Sequence, residues 1–260
     1  LMNLLCIDIG NTHTHFGVVA TGATVFQRAL PTRLLEDARE GFGPELTRIA
    51  AEYPSLEGAA VCSVVPAATE KIQHLLSARA WPRPVFELTY EKKIGVRIGY
   101  PRPREIGPDR LANAAGAHAL FGSPAIVIDL GTAVTFDIVT QSRGYEGGII
   151  APGVELMRRY LHEQTALLPL LDDSLEVTRA IGQSTVEAMR IGTVIGFGGM
   201  IQALLDAVLA DLAPRGEPMP RILATGSSAG LLQNRLLQPF TLAPDLTLRG
   251  LAAAWRLNSL

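Results

Sequence analysis

Two similar segments 121 residues apart constrain the fold of this 260-residue chain most strongly. Residues 5–12 read LCIDIGNT and residues 126–133 read IVIDLGTA. Each segment is a short apolar run that ends in Asp and is followed by Gly and small side chains, which is typical of a buried strand and a tight turn. Because the separation is nearly half the chain, the repeat predicts two topologically similar halves that face each other across a cleft.

The rest of the chain alternates between strand and helix patterns, which predicts an α/β fold. Apolar runs predict strands at 3–9, 16–19, 24–30, 59–65, 84–88, 125–130, 135–140, 148–151 and 221–224. Helical spacing predicts helices at 34–52, 70–80, 110–121, 153–165, 184–212 and 228–236. Repeated Gly and Pro between 91 and 108 predict a functional loop. We expect the two halves to comprise residues 1–116 and 117–260.

Composition narrows the class of protein further. With 48% hydrophobic residues, the chain is not disordered. Its net charge of -2 provides no overall positive potential that would attract nucleic acid or an anionic membrane. Two cysteines, Cys6 and Cys62, make neither a zinc quartet nor a disulfide framework. We find no signal peptide and no apolar run of 18 residues, so we expect a cytoplasmic protein without nucleic-acid or membrane partners.

The two repeated turns suggest phosphate chemistry. An Asp at a strand end can orient a metal-bound water, and the Gly that follows lets backbone N–H groups approach phosphate oxygens. The alternative is an ordinary hairpin in which Asp8 caps its own turn. Two copies favour the functional interpretation, in which paired hairpins clasp the phosphate tail of a nucleotide. The Gly-Lys-Ser/Thr signature of a P-loop is absent.

Seven motifs in a fixed order carry a family resemblance. They are DIGNT at 8–12, GPDR at 107–110, DLGTA at 129–133, GGIIAPG at 147–153, TALLP at 165–169, IGQST at 181–185 and LTLRGL at 246–251. In residue types, order and spacing the chain resembles type III pantothenate kinases. That family belongs to the acetate and sugar kinase, Hsc70 and actin superfamily. The resemblance implies two duplicated ribonuclease-H-like, actin-like ATPase halves with a cleft between them.

The resemblance also implies an activity, the ATP-dependent phosphorylation of pantothenate to 4'-phosphopantothenate, the first step of coenzyme A biosynthesis. Asp109 would be the catalytic base; an Asp–Arg ion pair with Arg110 at a helix start is the alternative. Arg110 could bind the substrate carboxylate or orient Asp109. Thr185 could instead serve as a hydroxyl at a helix N-terminus. The implied substrate-binding residues are Tyr100, Gly107, Pro108, Asp109, Arg110 and Thr185.

Nucleotide and cation sites follow from the same resemblance. Asp8 would hold Mg²⁺ through water, and Asp129 would bind a monovalent cation, K⁺ or NH₄⁺. Ser227 stands where the adenosine-side motif usually has a second Gly. His13 and His15 alternate along the strand, and packed or exposed histidines are the alternative to a binding role. The implied ATP-binding residues are Asp8, Ile9, Gly10, Asn11, Thr12, His13, Thr14, His15, Thr132 and Gly226.

The resemblance leaves two other functions open, and it implies that the protein is oligomeric. A regulatory relative similar to the Bvg accessory factors shares these motifs, and a phosphohydrolase of the same superfamily would place water opposite the γ-phosphate. The family forms homodimers, and the small residues between Ala112 and Ala119 could supply close helix packing, either between subunits or within one.

Overall fold

The computed structural model describes residues 3–35, 37, 39–78, 85–172, 174, 176–233 and 235–259. Its strands are β1 (Asn3–Ile9), β2 (His13–Ala20), β3 (Ala23–Pro31), β4 (Leu56–Ser63), β5 (Val85–Glu87), β6 (Ala125–Leu130), β7 (Ala133–Thr140), β8 (Gly144–Pro152), β9 (Arg221–Thr225) and β10 (Thr241–Leu242). Its α-helices are α1 (Phe42–Glu52), α2 (Pro66–Ala78), α3 (Pro108–Phe121), α4 (Val154–Glu163), α5 (Thr185–Leu212) and α6 (Leu246–Asn258). Short 3₁₀ helices are found at Thr32–Leu34, Pro103–Glu105, Ala213–Arg215 and Ala229–Leu232.

The ten strands form two sheets with the same topology. The first has the order β3-β2-β1-β4-β5 and the second β8-β7-β6-β9-β10. In the first sheet, β1 and β3 each run antiparallel to β2, while β4 lies parallel to both β1 and β5. In each sheet the repeated segment supplies the central strand, β1 or β6. The predicted α/β class and the two topologically similar halves are therefore confirmed.

Strand β1 is buried on both faces, which explains why its sequence is continuously apolar. Leu5, Ile7 and Ile9 pack with buried residues of α1 and α2 on one face. Leu4 and Cys6 belong to a second cluster, which includes buried residues of α3 and α6. Burial of a Leu or Ile side chain contributes roughly 1.5–3 kcal/mol. These two clusters fix the position at which β1 ends in the Asp8 turn.

Contacts divide the chain into two compact units whose sequences are interleaved. The first unit comprises residues 1–125, 137–147 and 245–260, and the second comprises residues 126–136 and 148–244. Helix α6 therefore belongs to the first unit, where Gly250 lies against Gly116 of α3. The expected halves, residues 1–116 and 117–260, stay a prediction. They were defined by the duplication in the sequence, whereas the two units are defined by contacts alone.

Several predicted elements differ in extent from the observed ones. The helix expected at 34–52 begins only at Phe42, because Gly41 lies tightly against the carbonyls of Leu34 and Asp37 in a preceding turn. The helix expected at 228–236 is reduced to a 3₁₀ turn at Ala229–Leu232. Helix α2 begins four residues before its predicted start, at Pro66. Predicted positions 36, 38, 79, 80, 84 and 234 lie outside the described residues.

Helix α5 is the segment that bears on the expectation about apolar runs. Residues Thr185–Arg215 contain an 18-residue window with a mean hydropathy of 1.7, of which 33% is buried. By length and composition this segment could cross a membrane, although core helices of soluble proteins meet the same criterion. The sequence predicted this helix at 184–212, and Arg190 and Asp206 limit its longest uncharged stretch to residues 191–205.

Candidate active site

The first repeated turn joins β1 to β2 and is closed by its own backbone. The Gly10 N–H donates to the His13 carbonyl at 3.0 Å. A Cβ at Gly10 would lie 2.9 Å from that oxygen, so glycine permits the close approach. Asn11, Thr12 and His13 are exposed, whereas Ile9 is buried in the core. The turn therefore presents its polar tip to solvent on a rigid base.

The side chain of Thr14 has a structural role in this hairpin. Its side chain is fully buried, and its hydroxyl lies 3.0 Å from the hydroxyl of Thr32. The Thr32 hydroxyl donates to the Gly10 carbonyl at 2.7 Å. These contacts connect β2 to the turn and hold the Gly10 carbonyl in place.

Asp8 and His15 are paired neighbours on β1 and β2. The Cys62 thiol of β4 donates to Asp8 Oδ1 at 3.4 Å. Burial, followed by the positive form of His13, lowers the pKa of His15. A lowered pKa favours the neutral imidazole of His15 near neutral pH. The hairpin thus places a carboxylate at its strand end with an imidazole in the adjacent strand.

The second repeated turn, between β6 and β7, is shorter than the first by one residue. The Gly131 N–H donates to the Ala133 carbonyl at 3.1 Å, and the Gly153 N–H donates to the Thr132 carbonyl at 3.1 Å. Both contacts lie within the second unit. The turn that carries Thr132 is therefore fixed from two directions.

Gly226 lies directly against the Asp129 carboxylate. Its φ angle is +89°, and a Cβ there would lie 2.6 Å from Asp129 Oδ1 and 2.6 Å from the Leu130 carbonyl carbon. Two residues later, the Ser228 N–H donates to the Leu130 carbonyl at 3.0 Å. The segment after β9, which contains the adenosine-side motif, thus contacts the end of β6 beside Asp129. Ser227 is exposed.

Asp109 lies in the first turn of α3, a helix that begins with Gly107 as N-cap and Pro108 as its first residue. Proline suits this position because its missing N–H would have no partner within the helix. Asp109 Oδ1 accepts the Arg110 N–H at 2.9 Å and also lies close to the Cα of Gly107. Burial raises the pKa of Asp109, while the Arg110 N–H and the Arg110 charge oppose that rise.

The first unit brings Asp109 and Asp8 towards one buried thiol. Burial raises the pKa of Cys62, and the charges of Asp8 and Asp109 raise it further. Two carboxylates that come from segments a hundred residues apart thus act on the same side chain. Asp8 contacts the thiol directly, whereas the effect of Asp109 is that of its charge.

Arg110 is anchored by residues that the sequence analysis did not identify. Its Nε donates to Asp137 Oδ1 at 2.7 Å, and the hydroxyl of Tyr145 donates to the same oxygen at 3.1 Å. Asn113 Nδ2 donates to Asp137 Oδ2 at 3.3 Å. A charged residue within the apolar stretch FDIV of β7 was the available signal. The side chain of Arg110 thus contacts Asp137, while its backbone contacts Asp109.

Tyr100 packs beside Gly147 of β8. Gly147 has a φ angle of +120°, and a Cβ there would lie 2.8 Å from Tyr100 Cδ2. The preceding residue of the loop, Gly99, donates its N–H to the Tyr145 carbonyl at 2.8 Å. The predicted loop is observed over 91–107 with a short 3₁₀ turn within it, because Pro108 already begins α3. Its Tyr100 is held against Gly147, which also belongs to the first unit.

Thr185 is the first residue of α5 and is exposed. The capping hydroxyl is that of its neighbour, since Ser184 Oγ accepts the Glu187 N–H at 3.2 Å. Glu187 in turn accepts the Gln183 N–H at 2.7 Å. Ser184 thus caps the helix, and Glu187 bonds to the backbone of the residue before the cap, which together stabilise the helix start. Thr185 belongs to the second unit, whereas Asp109 belongs to the first.

Comparisons with known proteins identify the family. A family model described as type III pantothenate kinase matches residues 4–207. A relative from Akkermansia muciniphila, named type III pantothenate kinase, is 40% identical over 257 residues, which are 99% of this chain and 100% of the relative. The chain belongs to the type III pantothenate kinase family. The family predicted from the seven motifs is therefore confirmed.

Solved structures show the same fold at low sequence identity. A Baf family transcriptional activator from Campylobacter jejuni gives a TM-score of 0.61 at 18% identity, with 98% of each chain covered. A ROK hexokinase from Thermus thermophilus gives 0.55 at 16% identity, with 99% of each chain covered. Likenesses at this identity concern the fold alone, so the first of them lends no support to a regulatory role. They agree with duplicated actin-like halves.

Proposed function

We propose that this chain phosphorylates pantothenate with ATP, the first step of coenzyme A biosynthesis, and that Asp109 is the base. Membership of the type III pantothenate kinase family is the observation that supports this activity. The observation that favours Asp109 as the base is its partly buried carboxylate at the start of α3, next to Arg110. Because the relatives are named as kinases of a small metabolite and a kinase needs the nucleotide pool of the cell, we propose the cytoplasm as the location.

In the proposed reaction, the primary hydroxyl of pantothenate attacks the γ-phosphorus of ATP. The new oxygen–phosphorus bond forms as the bond from the γ-phosphorus to the β–γ bridging oxygen breaks, and ADP leaves. The hydroxyl proton passes to the Asp109 carboxylate. A raised pKa suits this role because a base must hold the proton that it accepts. Tyr100, Gly107, Pro108, Arg110 and Thr185 remain the proposed substrate contacts.

The two glycine turns are the proposed holders of the triphosphate. Gly10 and Gly131 each close a turn whose backbone amides and small side chains could donate to phosphate oxygens. Asn11, Thr12 and Thr132 supply neutral donors, and His13 and His15 continue the first hairpin. Ile9 and Thr14 are buried, so we propose that they contribute through the backbone. Gly226 is the proposed adenosine-side contact.

The donor set fits a Mg²⁺ ion that is bound mainly through phosphates and water. Within the described part of the chain, no group of three or more His, Cys, Asp or Glu side chains could hold a metal. Mg²⁺ in phosphoryl-transfer sites commonly uses one or two carboxylates and keeps several waters. Asp8, at the end of β1, would supply that carboxylate. Bound there, the ion would neutralise charge on the β- and γ-phosphates.

Asp129 is the proposed ligand of a monovalent cation, K⁺ or NH₄⁺. Its carboxylate lies in a cradle that a Cβ at Gly226 would fill, and backbone carbonyls of the adjoining turns lie nearby. Carboxylate and carbonyl oxygens suit a hard cation. We expect the initial rate at fixed Mg²⁺-ATP and ionic strength to rise as NaCl is exchanged for KCl.

An Asp129→Asn variant should raise the K⁺ concentration needed for half-activation, because it removes the negative oxygen. Asp206→Asn is a matched control, since Asp206 lies on the exposed part of α5 and bonds only to Gln side chains in the contacts shown. A rate that stays flat across the exchange of Na⁺ for K⁺ would defeat the monovalent site.

We propose that the chain forms a homodimer through the exposed face of α5. Gly192, Gly196 and Gly199 face open space, and Ile195 is 51% exposed beside them. Small residues along a helix allow another helix to approach closely, and exposed apolar patches mark association surfaces. We expect sedimentation velocity at micromolar concentration to give a dimer, and Ile195→Glu to shift it towards monomer.

Met219→Glu is the control for the dimer, because Met219 is 69% exposed in the segment before β9 of the second unit. It should leave the dimer intact. A wild-type protein that sediments as a monomer would rule out the proposed assembly. Recovery of the wild type in a detergent-dependent membrane fraction would assign the α5 face to lipid instead.

The activity itself is tested with purified protein, ATP and pantothenate. Formation of phosphopantothenate and ADP in equal amounts is the expected result. Release of inorganic phosphate alone would indicate a phosphohydrolase, and neither product would indicate a regulatory protein. A panel of nucleoside triphosphates in the same assay measures the effect of Ser227 on nucleotide choice.

A further inference from the structure

Asp137 is a fully buried carboxylate in the middle of an apolar strand. Its side chain is 0% exposed, and the ring of Tyr145, also fully buried, lies beside it. Removing an ionised carboxylate from water is costly unless charged and hydrogen-bonding partners compensate for the lost hydration. An apolar residue of similar size would satisfy the packing of β7. Core packing therefore does not explain why residue 137 is an aspartate.

The donors to Asp137 come from two elements of the first unit. Arg110 and Asn113 lie one turn apart on α3, and Tyr145 lies on β8. Asn113 is itself oriented, because its Oδ1 accepts the Thr247 hydroxyl of α6 at 2.7 Å. Both carboxylate oxygens are thus directed by fixed donors. Asp137 in turn can hold the guanidinium of Arg110, which is only 14% exposed, in one orientation.

We propose that Asp137 is a positioning residue for phosphoryl transfer, which fixes Arg110 beside the base Asp109. The inference rests on the proposed function, in which Asp109 accepts the hydroxyl proton. Arg110 acts on Asp109 in two ways, through its backbone N–H at 2.9 Å and through its positive charge. A guanidinium without its buried partner would adopt other rotamers, and misplacement by about 1 Å near a reacting group can lower a rate 100-fold.

The charges around the pair agree with this arrangement. Burial raises the pKa of Asp137 to about 6, Arg110 opposes the rise, and the charge of Asp109 adds to it. Burial disfavours the charged guanidinium of Arg110, but Asp137 and the other acidic groups raise its pKa overall. Arg110 is thus a permanent positive charge that interacts with both carboxylates. Asp137 supplies its closest anionic contact among those shown.

The first test is Asp137→Asn, which keeps the size of the side chain but removes its charge. The new amide group must face either Arg110 or Asn113, both of which donate to Asp137. We expect kcat to fall about 10- to 100-fold, with the KM for ATP unchanged within about twofold. Thr140→Val is the matched control, because it removes a partly buried hydrogen bond to Glu146 from the same strand. It should lower the thermal midpoint but not kcat.

The second test is a double-mutant cycle with Arg110→Ala. If Asp137 acts through Arg110, Asp137→Asn should lower kcat little further in the Arg110→Ala background. Losses that multiply would show that Asp137 does not act through Arg110, and would overturn the proposal. An unchanged kcat in Asp137→Asn alone would do the same.

Two further measurements keep the proposal testable if Asp137→Asn does not fold or if the wild type fails to phosphorylate pantothenate. Tyr145→Phe retains the buried ring and removes one donor to Asp137, so kcat should fall about two- to fivefold. Without activity, the Arg110 Nε–H signal in NMR spectra reports the contact directly. Slow solvent exchange of that proton in the wild type and faster exchange in Tyr145→Phe are expected. Fast exchange in the wild type would overturn the proposal, whereas absent turnover alone would overturn only the proposed function.

Discussion

Replacing Asp109 by Asn is expected to lower kcat by about 100-fold or more, which is the usual range for removal of a general base. The amide can still accept the Arg110 N–H through its oxygen, so the start of α3 should be preserved. What is lost is the proton acceptor. Initial rates with saturating ATP and pantothenate measure the effect, and an unchanged thermal midpoint shows that the fold is intact.

The pH profile provides a second readout for Asp109. Because burial raises the pKa of Asp109, the wild-type rate should decline on the acid side at a higher pH than an ordinary aspartate, about 3.9, would give. Activity is lost as the pH falls through that pKa, since the protonated carboxyl cannot act as a base. Asp245→Asn is the control, because Asp245 also lies at the start of a helix but pairs with Arg249 at 3.8 Å. Near-normal turnover in Asp109→Asn would assign Asp109 a structural role.

The second large effect is expected for Gly250→Ala in α6. A Cβ at Gly250 would overlap the Ala112 carbonyl oxygen and lie 2.7 Å from the Gly116 nitrogen. These are backbone atoms of α3, so the two helices must separate. Overpacking of this kind costs about 1–3 kcal/mol or more, and the helix propensity of Ala returns at most about 1 kcal/mol. We expect the thermal midpoint to fall by roughly 5 °C.

Gly230→Ala is the matched control for this substitution. Gly230 lies in a short helical turn, and a Cβ there would meet nothing within 4 Å. Its thermal midpoint should therefore remain close to that of the wild type. Equal midpoints for Gly250→Ala and the wild type, measured by differential scanning calorimetry, would show that α3 and α6 can separate without cost.

The sequence predicted those parts of the fold that depend on local pattern. The repeated strand, Asp and Gly predicted both central strands and the turns after them, because a buried strand must be apolar and a tight turn favours glycine. The small residues of α3 likewise indicated a closely packed helix, and Gly116 lies against Gly250. The small-residue face of α3 therefore packs within one chain. This is one of the two alternatives that the sequence left open, the other being packing between subunits.

Other features depend on contacts that no local pattern contains. Helix α6 was not predicted, because Gly250 in its middle weakens the helical signal and only the contact with α3 explains that glycine. Arg110 and Asp137 are 27 residues apart, so their ion pair exists only after β7 has packed against α3. The roles of the individual site residues in binding and catalysis stay predictions.

The interleaved path of the chain has a consequence for its synthesis. The first unit contains residues 1–125 but also needs 245–260, which are about 120 residues later. At about 5–20 residues per second, the ribosome takes roughly 6–24 s to add that interval. All residues of the second unit precede residue 245, so its contacts can be completed earlier. The helix that carries Asp109 therefore acquires its packing partner only after this interval, and until then its small-residue face is open to other proteins in the cell.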